Sequence, residues 1–186
     1  MVILFLLFIL SCLVFLALII FAVLVFFKIT EIFFTDAPFI PTTNEVMDDI
    51  IENLQLTNKS VLYDLGCGDA RILRKAVELK PDINAVGIEI AYIPYFLAKF
   101  FTRKYKRIEI KRENIFKADI SDATHIFLYL YPKAVNKLID NIKKQCAQGT
   151  RIISCDFEIK SCKPIDIVNL KNKCSKMCQK LFIYVL

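Results

Sequence analysis

The order of apolar and polar residues divides the chain in two. Across residues 1–27 nothing is charged, and only Ser11 and Cys12 interrupt the apolar run. A helix built from this run has no polar face to turn toward water. At about 1.5 Å rise per residue it exceeds the roughly 30 Å hydrocarbon core of a bilayer and would cross it with some tilt. A cleaved signal peptide normally has a basic start, a shorter apolar stretch and a small-residue cleavage site. Here the first two are missing and no clean A-x-A site follows. Residues 1–27 are therefore expected to be a retained, single-pass transmembrane anchor. Residues 28–43 would be a juxtamembrane segment and residues 44–186 the folded domain.

Beyond the juxtamembrane segment the periodicity changes. Val46, Met47, Ile50, Ile51 and Leu54 share one helical stripe, with Thr43 placed as N-cap and Glu45 suited to the positive end of the helix dipole. A strand is expected over 60–65, a helix over 70–79 stopped by Pro81, and a second strand over 85–90. A helix over 92–106, with Pro94 in its first turn, precedes a short strand at 108–111. After the loop ENIFKADISDA come a buried strand at 125–131, a helix from Pro132 to Cys146 and a strand at 151–157. Two more strands are expected at 165–170 and 181–186. Strands alternating with helices predict an α/β fold, a largely parallel sheet with helices on both faces. Ligands of such sheets bind at the carboxyl ends of the strands, near the switch in strand order.

Charge changes this picture little. The net charge of +6 lies wholly beyond residue 27. The basic residues are scattered, as on a solvated surface, and no nucleic-acid-binding module is recognisable, so nucleic acid is not an expected partner. Lys28 is the first cation after the apolar run, and the positive-inside rule then places the folded part on the cytoplasmic side. The helix at 92–106 mixes Tyr92, Tyr95, Phe96, Phe100 and Phe101 with Lys99, Arg103, Lys104 and Lys106. A membrane-interface surface would use that mixture. Packing of the aromatics against the sheet is the simpler expectation.

Seven cysteines stand at 12, 67, 146, 155, 162, 174 and 178. The count is odd, one lies in the anchor and several fall in buried-looking runs. Cys162, Cys174 and Cys178 lack the paired short spacing of a zinc site, so no metal is expected and the thiols are expected to be reduced. His125, the only histidine, is expected to be structural.

The chemistry concentrates in VLYDLGCGDARI, residues 61–72, which holds two of the four glycines. Gly66 and Gly68 let the backbone turn tightly and let a ligand approach where a Cβ would intrude. Asp64 and Asp69 flank them, and Glu89 closes the second strand, 21 positions after Gly68. An acid at that place commonly accepts hydrogen bonds from the hydroxyls of an adenosine ribose. A dinucleotide site wants G-x-G-x-x-G, but Arg71 stands where the third glycine belongs. Asp64 would also repel a pyrophosphate. No P-loop occurs. A cationic ligand reverses the sign, and S-adenosylmethionine carries an ammonium and a sulfonium. A plain turn is the remaining alternative.

Asp64-Leu65-Gly66-Cys67-Gly68 resembles the first motif of class I S-adenosylmethionine-dependent methyltransferases, and Gly87-Ile88-Glu89-Ile90 resembles their acidic second-strand motif. The resemblance runs from about Pro38 to the C-terminus. It implies a Rossmann-like, seven-stranded sheet closed by an antiparallel sixth and seventh strand. More narrowly, an apolar N-terminal helix followed by PFIPTT, DLGCGDARI and ENIFKADIS is similar to the small membrane-anchored protein-lysine methyltransferases and their bacterial relatives. Mitochondrial members of that group methylate ATP synthase subunit c and the adenine nucleotide translocase. The resemblance implies that residues 39–43, with Thr42, cover the donor. It implies that Asn114 and Ile115, with Phe116 beside them, contact the adenine. Relatives often have aspartate where Asn114 stands, and an amide can make the same contact. The implied donor set is Asp64, Gly66, Cys67, Gly68, Asp69, Arg71, Glu89, Ile90, Asn114, Ile115 and Thr42.

Many amino methyltransferases carry Asn/Asp-Pro-Pro-Tyr/Phe after the fourth strand. This chain has Tyr129-Leu130-Tyr131-Pro132 instead, which argues against adenine- and glutamine-directed activity. Tyr129 and Tyr131 are the candidates to position an acceptor amine, through cation–π faces or hydroxyls. Strand alternation turns only one set of residues toward the core side, and the alternative is that these tyrosines are strand core. Three functions follow for the chain. The first is a membrane-tethered protein-lysine methyltransferase. The second is a methyltransferase for a lipid, quinone or other small molecule. The third is a donor-binding scaffold without catalysis.

Overall fold

The computed structural model describes residues 1–34, 44–170 and 178–186. The expected Thr43 cap and the donor-covering stretch with Thr42 lie outside the described residues. The chain forms two compact units, Met1–Pro38 and Phe39–Leu186.

The first unit is helix α1 (Val2–Phe34). Its segment Val2–Phe26 has a mean hydropathy of 3.4, with none of its most apolar window buried. By length and composition it suits a membrane crossing. The one hydroxyl in this segment is satisfied locally, because Ser11 Oγ donates to the Phe8 carbonyl at 2.8 Å.

The second unit opens with α2 (Asn44–Leu54), β1 (Val61–Leu65), α3 (Arg71–Leu79), β2 (Asn84–Ile88), α4 (Tyr92–Thr102) and β3 (Ile108–Lys111). It continues with β4 (His125–Leu128), α5 (Pro132–Gln145), β5 (Arg151–Cys155), β6 (Asp166–Asn169) and β7 (Lys180–Val185). The seven strands form one sheet in the order β3-β2-β1-β4-β5-β7-β6. β1 to β5 are parallel, and β7 is antiparallel to both β5 and β6. This is the seven-stranded class I methyltransferase arrangement.

Alternation along the strands supplies two faces. Leu62, Ala85, Ile110, Phe127 and Ile153 join one buried cluster with the α2 stripe, with Ile72, Leu73, Ala76 and Val77 of α3, and with Ala98 of α4. Val46, Met47, Ile50, Ile51 and Leu54 are all buried there, as their spacing predicts. Buried residues of the opposite parity, among them Leu65, Ile88, Ile126, Leu128 and Ile152, belong to the other face. α5 contributes nothing to the first cluster and buries Ala134, Val135, Leu138, Ile139 and Ile142.

Two expectations are corrected. Helix α4, expected over 92–106, ends at Thr102, after which residues 103–107 turn into β3. The thiols are not all free, because Cys155 and Cys178 form a disulfide with their Cα atoms 5.8 Å apart. Pairing of β7 against β5, with Cys155 opposite Leu181, brings Cys178 alongside. A separation of 23 residues hid this neighbourhood from any spacing rule. Cys12, Cys67, Cys146 and Cys162 are free, and Cys174 lies outside the described residues.

Candidate active site

Strand order reverses between β1 and β4, and the carboxyl ends of β1, β2 and β4 meet there. The turn after β1 is built from left-handed backbone at alternate positions: φ is +87° at Gly66, +56° at Gly68 and +60° at Ala70. Ala70 holds that conformation with a side chain, which marks a site where surrounding structure imposes strain. A Cβ on Gly66 would stand 2.8 Å from Leu130 Cδ2. Gly87 lies beneath the loop, where a Cβ would come within 2.9 Å of Cys67 Sγ, Ile110 Cδ1 and Leu73 Cδ1.

Four amides of this turn, those of Gly66, Cys67, Gly68 and Ala70, are already committed. Gly66 and Cys67 N–H donate to the Ile88 carbonyl at 2.8 and 3.1 Å, and Ala70 N–H donates to the Cys67 carbonyl at 2.8 Å. Gly68 N–H donates to Glu89 Oε2 at 3.0 Å, and Ala91 N–H donates to Glu89 Oε1 at 2.8 Å. A loop that cradles a pyrophosphate needs such amides free. The loop is therefore shaped for close approach rather than for phosphate capture.

Charge points the same way. Asp64 is only 4% exposed. Burial, then the charges of Glu89 and Asp69, push its carboxyl up from 3.8 to about 8. Among the described residues no cation pairs with it. Asp69 differs, since Arg71 grips it through two bonds of 2.9 and 2.8 Å and Arg74 lies 3.9 Å away. The site thus keeps one buried acid in reserve, facing like charges. A ligand bearing a positive group would relieve it. The same burial and acids push the Cys67 thiol up, so Cys67 is an inert wall rather than a nucleophile.

The other expected donor residues gather at the same edge. Glu89 N–H donates to the Lys111 carbonyl and Glu113 N–H to the Glu89 carbonyl, joining β2 to the loop after β3. In that loop Asn114 Oδ1 accepts from Phe116 N–H at 2.9 Å, a side-chain-capped turn that presents half-buried Ile115. The Ile90 carbonyl accepts a 3.4 Å bond from Arg112 Nε. His125 lies at the opposite, amino-terminal end of β4, bonded to Thr124 Oγ1 at 2.8 Å.

The two tyrosines part company. Both follow the end of β4 at Leu128. Tyr129 is half-buried, and its hydroxyl donates to Asp156 Oδ2 at 3.3 Å. Burial and Asp156 raise that hydroxyl to about 12, so it stays protonated. Tyr131 is 39% exposed at the start of α5, its ring centroid 6.1 Å from that of Phe157. Reading the sequence missed Asp156 and Phe157. Asp156, at φ +62°, follows β5 and accepts the amides of Cys178, Gln179 and Lys180 at 2.6, 2.6 and 3.1 Å. An aspartate directly after a buried strand was the available signal.

A profile described as the ANTKMT methyltransferase domain matches residues 64–166. The chain belongs to this family. A protein-lysine N-methyltransferase of Saccharolobus islandicus is 30% identical over 81% of this chain and 94% of its own. The crystal structure of an RNA methyltransferase from Salinibacter ruber, with S-adenosyl-L-homocysteine, is 30% identical, with a TM-score of 0.72 over 78% of this chain and 93% of that one. A precorrin-6y methyltransferase from Geobacter metallireducens, 17% identical with a TM-score of 0.60, shares the fold. This family member is an S-adenosylmethionine-dependent methyltransferase, as the committed amides of Gly66 to Gly68 and the unpaired Asp64 fit.

Proposed function

We propose that the protein is a membrane-anchored methyltransferase whose acceptor is a lysine amine of a membrane protein. The observation that carries the acceptor is the likeness to the Saccharolobus protein-lysine methyltransferase, which extends over nearly that protein's whole length. Residues 1–27 anchor it, residues 28–43 join anchor to domain and cover the donor through Thr42, and residues 44–186 carry the chemistry.

The donor supplies an electrophilic methyl group on a sulfonium. Around it this chain's residues have separate tasks. Asp64 meets the donor's cationic end and Glu89 accepts from the ribose. Gly66, Cys67 and Gly68 form the floor, while Asp69, held by Arg71, keeps the turn in shape. Ile90, Asn114 and Ile115 hold the adenine. Tyr131, with Phe157, lines the acceptor mouth. The apolar surface of these rings strips water from an incoming ammonium, which lowers its pKa and lets it enter as the neutral nucleophile. Tyr129 supports the mouth from below through Asp156, whose carboxylate accepts four bonds.

Lys28 favours a cytoplasmic domain. The Cys155–Cys178 disulfide pulls the other way, since cytosol keeps thiols reduced. Labelling Cys162 in sealed vesicles with a membrane-impermeant maleimide reads the orientation directly.

Membranes from cells lacking the protein, incubated with full-length enzyme and tritiated donor, test the acceptor. Glu89→Ala serves as the control, and protein, lipid and RNA are counted separately. Label recovered as methyl-lysine after hydrolysis supports the reading. Label confined to extractable small molecules or to RNA refutes the lysine acceptor and leaves the donor site standing.

A further inference from the structure

α4 is built inside out. Its buried residues are the small ones, Pro94, Ala98 and Thr102, at spacings of four. About 180° away, at 100° per residue, runs the row Tyr92, Phe96 and Phe100. These rings are 47%, 62% and 58% exposed. The expectation that the aromatics pack on the sheet therefore fails for this row, because the small residues already fill the contact and leave the rings facing outward. A solvated helix shows the reverse arrangement.

Cations sit on the same ridge. Arg103 lies over the Phe100 ring at 4.1 Å and Arg112 over the Tyr92 ring at 3.5 Å. Residues 92–107 hold five cations, Lys99, Arg103, Lys104, Lys106 and Arg107, and no acid. Rings that enter a headgroup layer beside cations that meet lipid phosphates are the composition of an interfacial helix. A second copy of the chain is a poor occupant, because the same five cations would face each other. The chain also carries a helix suited to cross a bilayer.

We propose that the Tyr92–Phe96–Phe100 ridge, with Lys99 and Arg103, docks the methyltransferase domain on an anionic bilayer surface. Phe96, Lys99, Phe100 and Arg103 are outside the set assigned to donor and acceptor, while Tyr92, through Arg112 and the Ile90 carbonyl, adjoins the donor edge. This docking would restrict the domain's rotation above the membrane beyond what the tether does.

The chain contains no tryptophan, so Phe96→Trp and Phe100→Trp each create a single reporter in the full-length protein. Each is reconstituted in vesicles of phosphatidylcholine alone or with phosphatidylserine, with and without brominated acyl chains. Lys143→Trp on α5 is the reference. In anionic vesicles both ridge reporters are expected to shift blue and to be quenched at least ~twofold by brominated lipid, while the reference is not. Lys99→Glu with Arg103→Glu removes that quenching at unchanged donor affinity. No quenching of either ridge reporter overturns the proposal. So does a blue shift without lipid quenching, which means a macromolecule covers the ridge, and so does equal quenching of the reference. Flotation on neutral vesicles reads the anchor separately, so failure of the anchor is distinguishable from failure of the ridge.

Discussion

Protonation of Asp64 should couple donor binding to pH. Without donor its carboxyl titrates near 8, against 3.8 in an unfolded chain. The folded apoprotein thus binds a proton that the unfolded chain has lost. Its stability is greatest below about pH 4 as far as this group is concerned, and declines up to about pH 8, by up to about 1.4 kcal/mol per pH unit. A cationic group brought within ~4–6 Å lowers a carboxylate's pKa by about 1–3 units, so a value near ~6 is expected in the complex. Linkage then predicts a dissociation constant about 20-fold tighter at pH 7.5 than at pH 5.5, with about 0.8 proton released per donor bound at pH 7. The range stops at pH ~7.5 because a free α-amino group titrates near ~7.7–8.0. Calorimetry in buffers of different ionisation enthalpy reads both quantities. Asp64→Asn should bind weakly, with no pH slope and no proton release. A flat affinity across this range with no proton release in the native protein would falsify the placement of Asp64 against the donor's charge.

Four further outcomes follow. Glu89→Ala removes ribose acceptors worth about 1.5–3 kcal/mol each and frees the glycine turn, so donor affinity should fall at least ~100-fold by calorimetry, and an unchanged affinity refutes the ribose role. Gly87→Ala places a Cβ within 2.9 Å of three side chains and should cost about 1–3 kcal/mol in denaturant unfolding; a neutral result means the turn has slack. Tyr131→Ala should lower turnover at least ~tenfold at constant donor affinity, whereas Tyr129→Phe should leave turnover within ~threefold and lower stability by about 1 kcal/mol. The reverse pattern would exchange their roles. Alkylation before reduction, read by mass spectrometry, should spare Cys155 and Cys178, and labelling of both rules out the disulfide.

Much of the fold was legible because its strands are buried and short, bounded by glycine, proline and charge. The α2 stripe was read residue for residue, since a two-faced helix leaves a 3.6-residue period. The donor turn was legible for a different reason. Only glycine serves at φ +87° beside Leu130 without strain, so backbone geometry is written into residue type at Gly66. The corner between β5 and β7 was not legible. Asp156, Cys178 and the amides after it meet only once an antiparallel strand returns beside β5, and nothing local encodes that return. The α4 ridge misled for the opposite reason. An aromatic helix predicts burial when hydrophobicity is summed over residues, yet burial depends on which residues share the inward face. Pro94, Ala98 and Thr102 take that place.

Under the proposed assignment the carboxyl edge of the sheet is divided electrostatically. On the β1–β2 side stand Asp64, Asp69 and Glu89, all buried, with one uncompensated. On the β4–β5 side stand Tyr131 and Phe157, with the nearby Asp156 consumed by four hydrogen bonds. A fixed cation therefore gains most on the first side. On the second side an amine meets aromatic faces that exclude water, and that desolvation favours its neutral form. The donor's positive charge and the acceptor's loss of charge are thereby sorted across the crevice between β1 and β4, which suits transfer from a sulfonium to a neutral amine. A free carboxylate introduced beside Tyr131 would erase that sorting by holding the amine as an ammonium.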